Sequence, residues 1–224
     1  PEVYFLPYVK ALLQSLPEGP IGLVMDGSQV GRGCMALVIS VLYQKRALPI
    51  GWIVVVGEKG HLPEASHQQL VEQVASLLPT GREVVFLGDG EFDGTGLLRA
   101  IVAQGWQFVC RSAKNAFVWE GDEDLRLSWL NLEAGQVIAL EDVFFTQAGF
   151  GPVLCVACWD PGYKGPIYLV SNLELWQEAL VWYRKRFQIE TFFSDQKSRG
   201  FELSKSHLSD PLRLSRLLMA TCLA

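Results

Sequence analysis

The chain has 224 residues, half of them hydrophobic and 19% charged, with a formal net charge of −5. That length carries one good-sized core, or a core with an inserted subdomain, and the composition excludes a disordered chain. No apolar run reaches the 18 or so residues of a membrane-spanning helix; the longest, Cys34–Tyr43, is interrupted by Ser40 and has the length of a strand. The start, Pro1-Glu2-Val3-Tyr4, lacks the basic segment of a signal peptide. With no initiator Met and an apolar final stretch, Leu217 to Ala224, the chain reads as a piece of a longer protein. Five irregularly spaced cysteines fit a reduced, cytoplasmic protein. Cys155 and Cys158 form one CxxC, but no second pair or nearby His completes a zinc site, so buried thiols are the better reading.

Residues 1–20 hold at most a short apolar helix and no helix-turn-helix. The core is then expected to begin, with segments 21–111 and 165–224 flanking an insertion at 112–164. Ile21–Val30, Cys34–Tyr43 and Leu48–Val56 are predicted strands, joined closely enough for an antiparallel meander. Gln44-Lys45-Arg46 is the polar turn between the second and third. A helix is predicted from Pro63 to Leu78, with Leu70, Val74 and Leu77 as its apolar stripe. Val84 to Leu87 is a short, wholly apolar strand that runs into Gly88-Asp89-Gly90. A helix from Thr95 to Gln104 and a strand from Trp106 to Arg111 follow, which implies a parallel strand pair with a crossover.

From Ser112 to Lys164 short apolar runs alternate with turn residues, as in a β-rich insertion hanging off the main sheet. Ile167–Ser171 returns to the body. One long helix is predicted over Leu173 to Ser198, with Leu175, Ala179, Trp182, Ile189 and Phe193 as its buried stripe. Asp210-Pro211 reads as the N-cap and first turn of a last helix.

That long predicted helix carries the most informative spacing. Tyr183, Arg186, Glu190 and Lys197 recur at +3, +7 and +14. Seven residues fall about 20° short of two helical turns, so Tyr183, Glu190 and Lys197 share a face, with Arg186 roughly 60° away. A carboxylate among cations and a phenol suits a phosphodiester with a metal ion. From Trp182 to Arg216 the chain carries net +4 against −9 elsewhere, a basic patch on an acidic body. Two further acids, Asp26 and Asp89, are expected to terminate central strands, where they would converge on a ligand. Carboxylates are hard ligands for Mg²⁺, and three of them hold two ions about 3.5–4 Å apart. Each acid also has a plain structural alternative: Asp26-Gly27 and Asp89-Gly90 as turns, and Glu190 as the ion-pair partner of Arg186 four residues earlier. Asp93 is a candidate helix cap, and Glu91, Asp122, Glu123 and Asp124 are expected at the solvated surface. His67 is expected to be structural, and His207 lies in a basic loop.

The order of strand Asp, central-strand Asp and helix Glu resembles the RNase H-like fold, an α/β mixed sheet flanked by helices. More narrowly, the chain resembles the catalytic domain of DDE transposases of bacterial insertion sequences with the signature Y-x2-R-x3-E-x6-K. Tyr183, Arg186, Glu190 and Lys197 match all four positions. Asp26 in LVMDGSQVG resembles the first acidic motif and Asp89 in VVFLGDGEFDG the second, with Phe108 to Arg111 as the strand after it. The resemblance implies that Asp26, Asp89 and Glu190 bind Mg²⁺, with Mn²⁺ as a substitute and two ions when DNA is bound. It implies cleavage at transposon ends and strand transfer, with Tyr183, Arg186 and Lys197 on the DNA phosphates. It also implies DNA as partner, both ends and target, a dimer in the end-paired complex, no organic cofactor and no membrane, and work at the bacterial nucleoid. Several members stack a flipped base on a Trp of the insertion; Trp119, Trp129 and Trp159 are the candidates here. The members usually carry DNA-binding elements before the first strand, so this chain alone is expected to recognise ends poorly. Rival readings are a degenerate copy that binds or assembles on DNA without cutting, and another RNase H-like nuclease.

Overall fold

A computed structural model describes residues 3–57, 62–121 and 123–223, and the side chains of 198, 199 and 204 lie outside the description. Asp122 and the last residue, Ala224, named above, therefore fall outside it, as do Pro1, Glu2 and the Arg199 side chain. The chain forms two compact units, residues 1–84 with 185–224, and residues 85–184.

The first unit is built on the predicted meander: β1 (Ile21–Val30), β2 (Cys34–Tyr43) and β3 (Arg46–Val56), antiparallel in the order β3-β2-β1. The β2–β3 turn is tighter than predicted. Gln44 and Lys45 both take positive φ, 46° and 65°, and Arg46 already pairs with Tyr43. Two consecutive left-handed residues give the hairpin twist that antiparallel strands need. Cross-strand neighbours share a face, so Asp26, Val38 and Trp52 form one row while Met25, Ile39 and Gly51 form the row on the opposite face.

Helices cover both rows. On the Gly51 side lies α2 (Glu64–Ala75); a Cβ on Gly51 would come within 2.9 Å of Val74 and 3.3 Å of Leu70. His67 is buried on α2 beside Leu70, Val71 and Val74, in the structural role expected of it. On the Trp52 side lies α1 (Phe5–Gln14), whose Phe5 ring meets Trp52 edge-on at 4.5 Å. There too lies α6 (Pro211–Leu223), whose Ser215 accepts the Trp52 indole N–H at 2.9 Å. Asp210 caps α6 as predicted, its carboxylate accepting the Arg213 amide at 2.7 Å.

The second unit holds β4 (Val84–Gly88), α3 (Thr95–Ala103), β5 (Gln107–Ser112), β6 (Phe117–Glu120), β7 (Glu123–Arg126), β8 (Val137–Phe145), β9 (Phe150–Cys158), β10 (Ile167–Ser171) and α4 (Trp176–Lys185). Strands β4 and β5 pair in parallel, as the strand–helix–strand pattern predicted. The order from β5 is β10-β9-β8-β6-β7, and every one of these pairs is antiparallel. Asn172 fastens the end of β10 to β5, accepting the Phe108 amide at 2.7 Å and donating to the Trp106 carbonyl at 3.2 Å. Cys155 is buried and Cys158 half-buried, both as free thiols.

Two expectations are corrected. The single helix over Leu173 to Ser198 is three pieces: α4, then α5 (Gln188–Ser194), then a wide π turn over Asp195–Arg199. At the break the amides of Ile189 and Glu190 bond back three residues, to Arg186 and Phe187, in the tight 3₁₀ manner. No Gly or Pro marks this break in the sequence. Leu175 therefore precedes α4 and is 53% exposed, whereas Ala179, Ile189 and Phe193 are buried as expected. Second, Asp26 does not end its strand. β1 continues through it to Val30, and Asp26 pairs with Val38.

Gly88 tests the packing at the end of β4. A Cβ there would lie 2.5 Å from the Cβ of Phe92 and 3.2 Å from the Cys110 sulfur. Gly88→Ala is expected to cost about 1–3 kcal/mol through overpacking. Urea denaturation measures this, and an unchanged midpoint contradicts the close packing.

Candidate functional site

The first unit brings two of the predicted acids to one cation. Asp26 stands mid-strand on the face covered by α1 and α6, its side chain 18% exposed. Oδ1 accepts the Gly27 amide at 2.7 Å, while Oδ2 faces Arg186 Nη1 at 3.7 Å. Arg186 Nη2 donates to Glu190 Oε1 at 2.8 Å, the (i, i+4) pair foreseen as the structural alternative. One guanidinium, itself 16% exposed, thus bridges a strand carboxylate and a helix carboxylate some 160 residues apart in sequence. Ile189 and Phe193 bury the inner side of α5, which leaves Glu190, in the first turn, at the edge with its side chain 45% exposed. A carboxylate in that position also meets the positive end of the helix dipole.

Lys197 is exposed in the π turn of the same unit. That turn is held from inside: Gln196 is buried and accepts the Thr221 hydroxyl of α6 at 2.7 Å. Nearby, His207 is exposed with φ 56°.

Asp89 and Tyr183 belong to the second unit. Asp89 follows β4 directly, as predicted. Its Oδ1 accepts the Glu91 amide at 2.9 Å and its carbonyl accepts the Phe92 amide at 3.0 Å. Phe92 is fully buried, so the loop that carries the carboxylate is anchored by a core aromatic. Tyr183 is half-buried on α4.

Asp93 is not the cap of α3; Gly94 holds that position. Burial instead raises the Asp93 carboxyl above its usual range, opposed by the Ser112 hydroxyl and the Ala113 amide, and the Asp89 carboxylate adds to the rise. Burial likewise pushes the Cys110 thiol well up, with Asp93 and Asp89 adding to it. Sequence reasoning missed this grouping because residues 89, 93 and 110 meet only when β4 pairs with β5.

Among the Trp candidates, Trp129 is 57% exposed, meets Phe117 edge-on at 6.3 Å and has the Arg126 guanidinium 5.8 Å from its ring. Trp119 and Trp159 are half-buried, and the Trp159 indole donates to the Tyr163 carbonyl at 3.0 Å. Glu91, Glu123 and Asp124 are exposed, as expected.

The donor set fits a hard divalent cation. Asp26 and Glu190 present carboxylate oxygens to a single positive group, and Mg²⁺ takes oxygen ligands of this kind. Among the described residues, no three His, Cys, Asp or Glu side chains are grouped as a ready-made metal site.

The family described as "Transposase DDE domain" matches residues 23–224. No curated protein matches the chain. The structure described as a piggyBac transposase synaptic complex with hairpin DNA superposes with a TM-score of 0.61 at 14% identity, covering 96% of this chain and 48% of that one. The likeness is one of fold, RNase H-like, and the chain spans about half the length of that transposase. Endonuclease V of Ciona intestinalis, bound to a 24mer DNA containing an inosine, matches with a TM-score of 0.43 at 11% identity over 88% of this chain and 97% of that one. No helix among the described residues is long and apolar enough to cross a membrane.

Asp93 gives a signed pH prediction. Its folded-state pKa is raised, so the folded protein keeps the proton to higher pH than the unfolded chain does, and stability falls as pH rises through that window. Asp93→Asn removes this loss. The stability of the variant relative to wild type, from denaturation at pH 4 and pH 7, is expected to increase with pH; a flat difference contradicts it.

Proposed function

Because the chain belongs to the transposase DDE domain family, we propose that it acts as the catalytic domain of a DNA transposase, cleaving at transposon ends and transferring the strand. Family members generally depend on a divalent metal. The observation that carries the reading to particular residues is the meeting of Asp26 and Glu190, from strand and helix, at one positive charge. With Asp89 they would hold Mg²⁺, or Mn²⁺ in its place, as two ions once DNA is bound. Bound there, the metal supplies Lewis-acid charge to the attacking and leaving oxygens of an in-line displacement at phosphorus.

The chain's own residues do the rest. The buried Phe92 keeps the Asp89 loop in place, and burial of Ile189 sets Glu190 at its helix edge. Arg186 offers DNA phosphate a planar fork of donors, Lys197 a point charge and Tyr183 a hydroxyl. Trp129, the most exposed of the three candidates, would stack a base extruded from the duplex. In this reading, residues 1–20 lead into an RNase H-like core of 21–111 and 165–224, with 112–164 inserted. The partners are end and target DNA, in a dimer when two ends are paired. The setting is the bacterial cytoplasm, at the nucleoid.

Glu190→Gln and Asp89→Asn in the full-length protein are expected to abolish cleavage of end-bearing DNA while the melting midpoint stays close to wild type. The Arg186–Glu190 pair, with Glu190 45% exposed, is worth only about 0.2–1 kcal/mol as a solvent-reached ion pair. Unfolding of Glu190→Gln would make that residue a structural ion-pair partner instead. Lys197→Ala is expected to weaken binding alike across DNA sequences and to lower the slope of log affinity against log salt by about 1. A changed sequence preference contradicts the phosphate role.

A further inference from the structure

Arg186 stands where a metal would have to act. Its guanidinium lies 2.8 Å from Glu190 and 3.7 Å from Asp26, and only 16% of its side chain is exposed. A divalent cation drawn to the same two carboxylates meets that positive charge at short range, where repulsion is least screened by solvent. Arg186 sits at the turn between α4 and α5, and its long side chain can carry the charge from carboxylate to phosphate without moving α5, which Ile189 and Phe193 hold by burial.

We propose that Arg186 is a built-in counter-cation of the Asp26–Glu190 pair, which it releases when DNA phosphate takes its guanidinium, so that uptake of metal is coupled to engagement of DNA. This rests on the reading of Asp26 and Glu190 as metal ligands. In the free protein the guanidinium neutralises both carboxylates and holds metal affinity down. A phosphate draws it away, and the carboxylates become open to the cation. Linkage is reciprocal, so metal strengthens DNA binding by the factor that DNA strengthens metal binding.

Mn²⁺ binding to the metal-stripped chain, measured by calorimetry without DNA, tests the exchange. Arg186→Gln is expected to bind Mn²⁺ about tenfold more tightly than wild type, within the usual range of coupling, while Arg186→Lys keeps a positive charge and stays near wild type. Arg186→Met keeps the apolar stem and serves in place of the glutamine variant if that variant does not fold. Equal or weaker Mn²⁺ affinity in the folded neutral variant overturns the exchange. Adding Asp26→Asn to the neutral variant is expected to remove the gain. If instead Mn²⁺ binds the double variant as tightly, the assignment of Asp26 as a ligand fails, a result separate from failure of the exchange.

Discussion

A strand register has two phases, and in the meander of β1, β2 and β3 that phase decides which side of the sheet Asp26 faces. The row Asp26–Val38–Trp52 points toward α1 and α6, and the row Met25–Ile39–Gly51 points toward α2. A slip of one residue would turn Asp26 into the apolar layer under α2 and send Met25 toward Arg186. Gly51 holds the phase, since at its own position Val74 and Leu70 come too close for a Cβ to fit without a shift. Trp52 holds it from the other side, through Phe5 and Ser215.

On that frame the site of the first unit is electrostatic rather than stabilising. One guanidinium serves two carboxylates, and the Arg186–Glu190 pair is reached by solvent through Glu190, 45% exposed. A pair so exposed contributes little to folding. Its worth lies in placement: α5 is pinned by burial of Ile189 and Phe193, which leaves Glu190 at the edge of that buried face. The second unit treats its acids differently. Asp89 is tied to its own loop by the Glu91 and Phe92 amides, while Asp93 is half-buried and raised in pKa.

Much of the fold was legible in the chain. β1 and β2 run over the residues that the apolar runs marked, since a buried strand must be apolar without interruption and turn residues must follow it. α3 and the cap of α6 were legible for the same kind of local reason. The break at Arg186 and Phe187 was not. The segment has no Gly or Pro, and its helical periodicity runs straight through the turn. The stripe joining Tyr183 to Lys197 by helical arithmetic therefore does not survive as one continuous face, and the four-residue spacing of Arg186 and Glu190 is the part that does.

The amino-acid order by itself determined the strands β1 and β2, the helix α3 and the cap of α6, the candidate acids, and the pairing of Arg186 with Glu190, because each of these is set by neighbours within a few residues along the chain. Only the tertiary structure decided that Asp26 lies mid-strand beside that same arginine, that Asp93 is half-buried near Asp89, and that one predicted helix is three segments. The first two outcomes depend on strand register and on which helix covers which face, and such long-range contacts leave no periodic trace in the sequence.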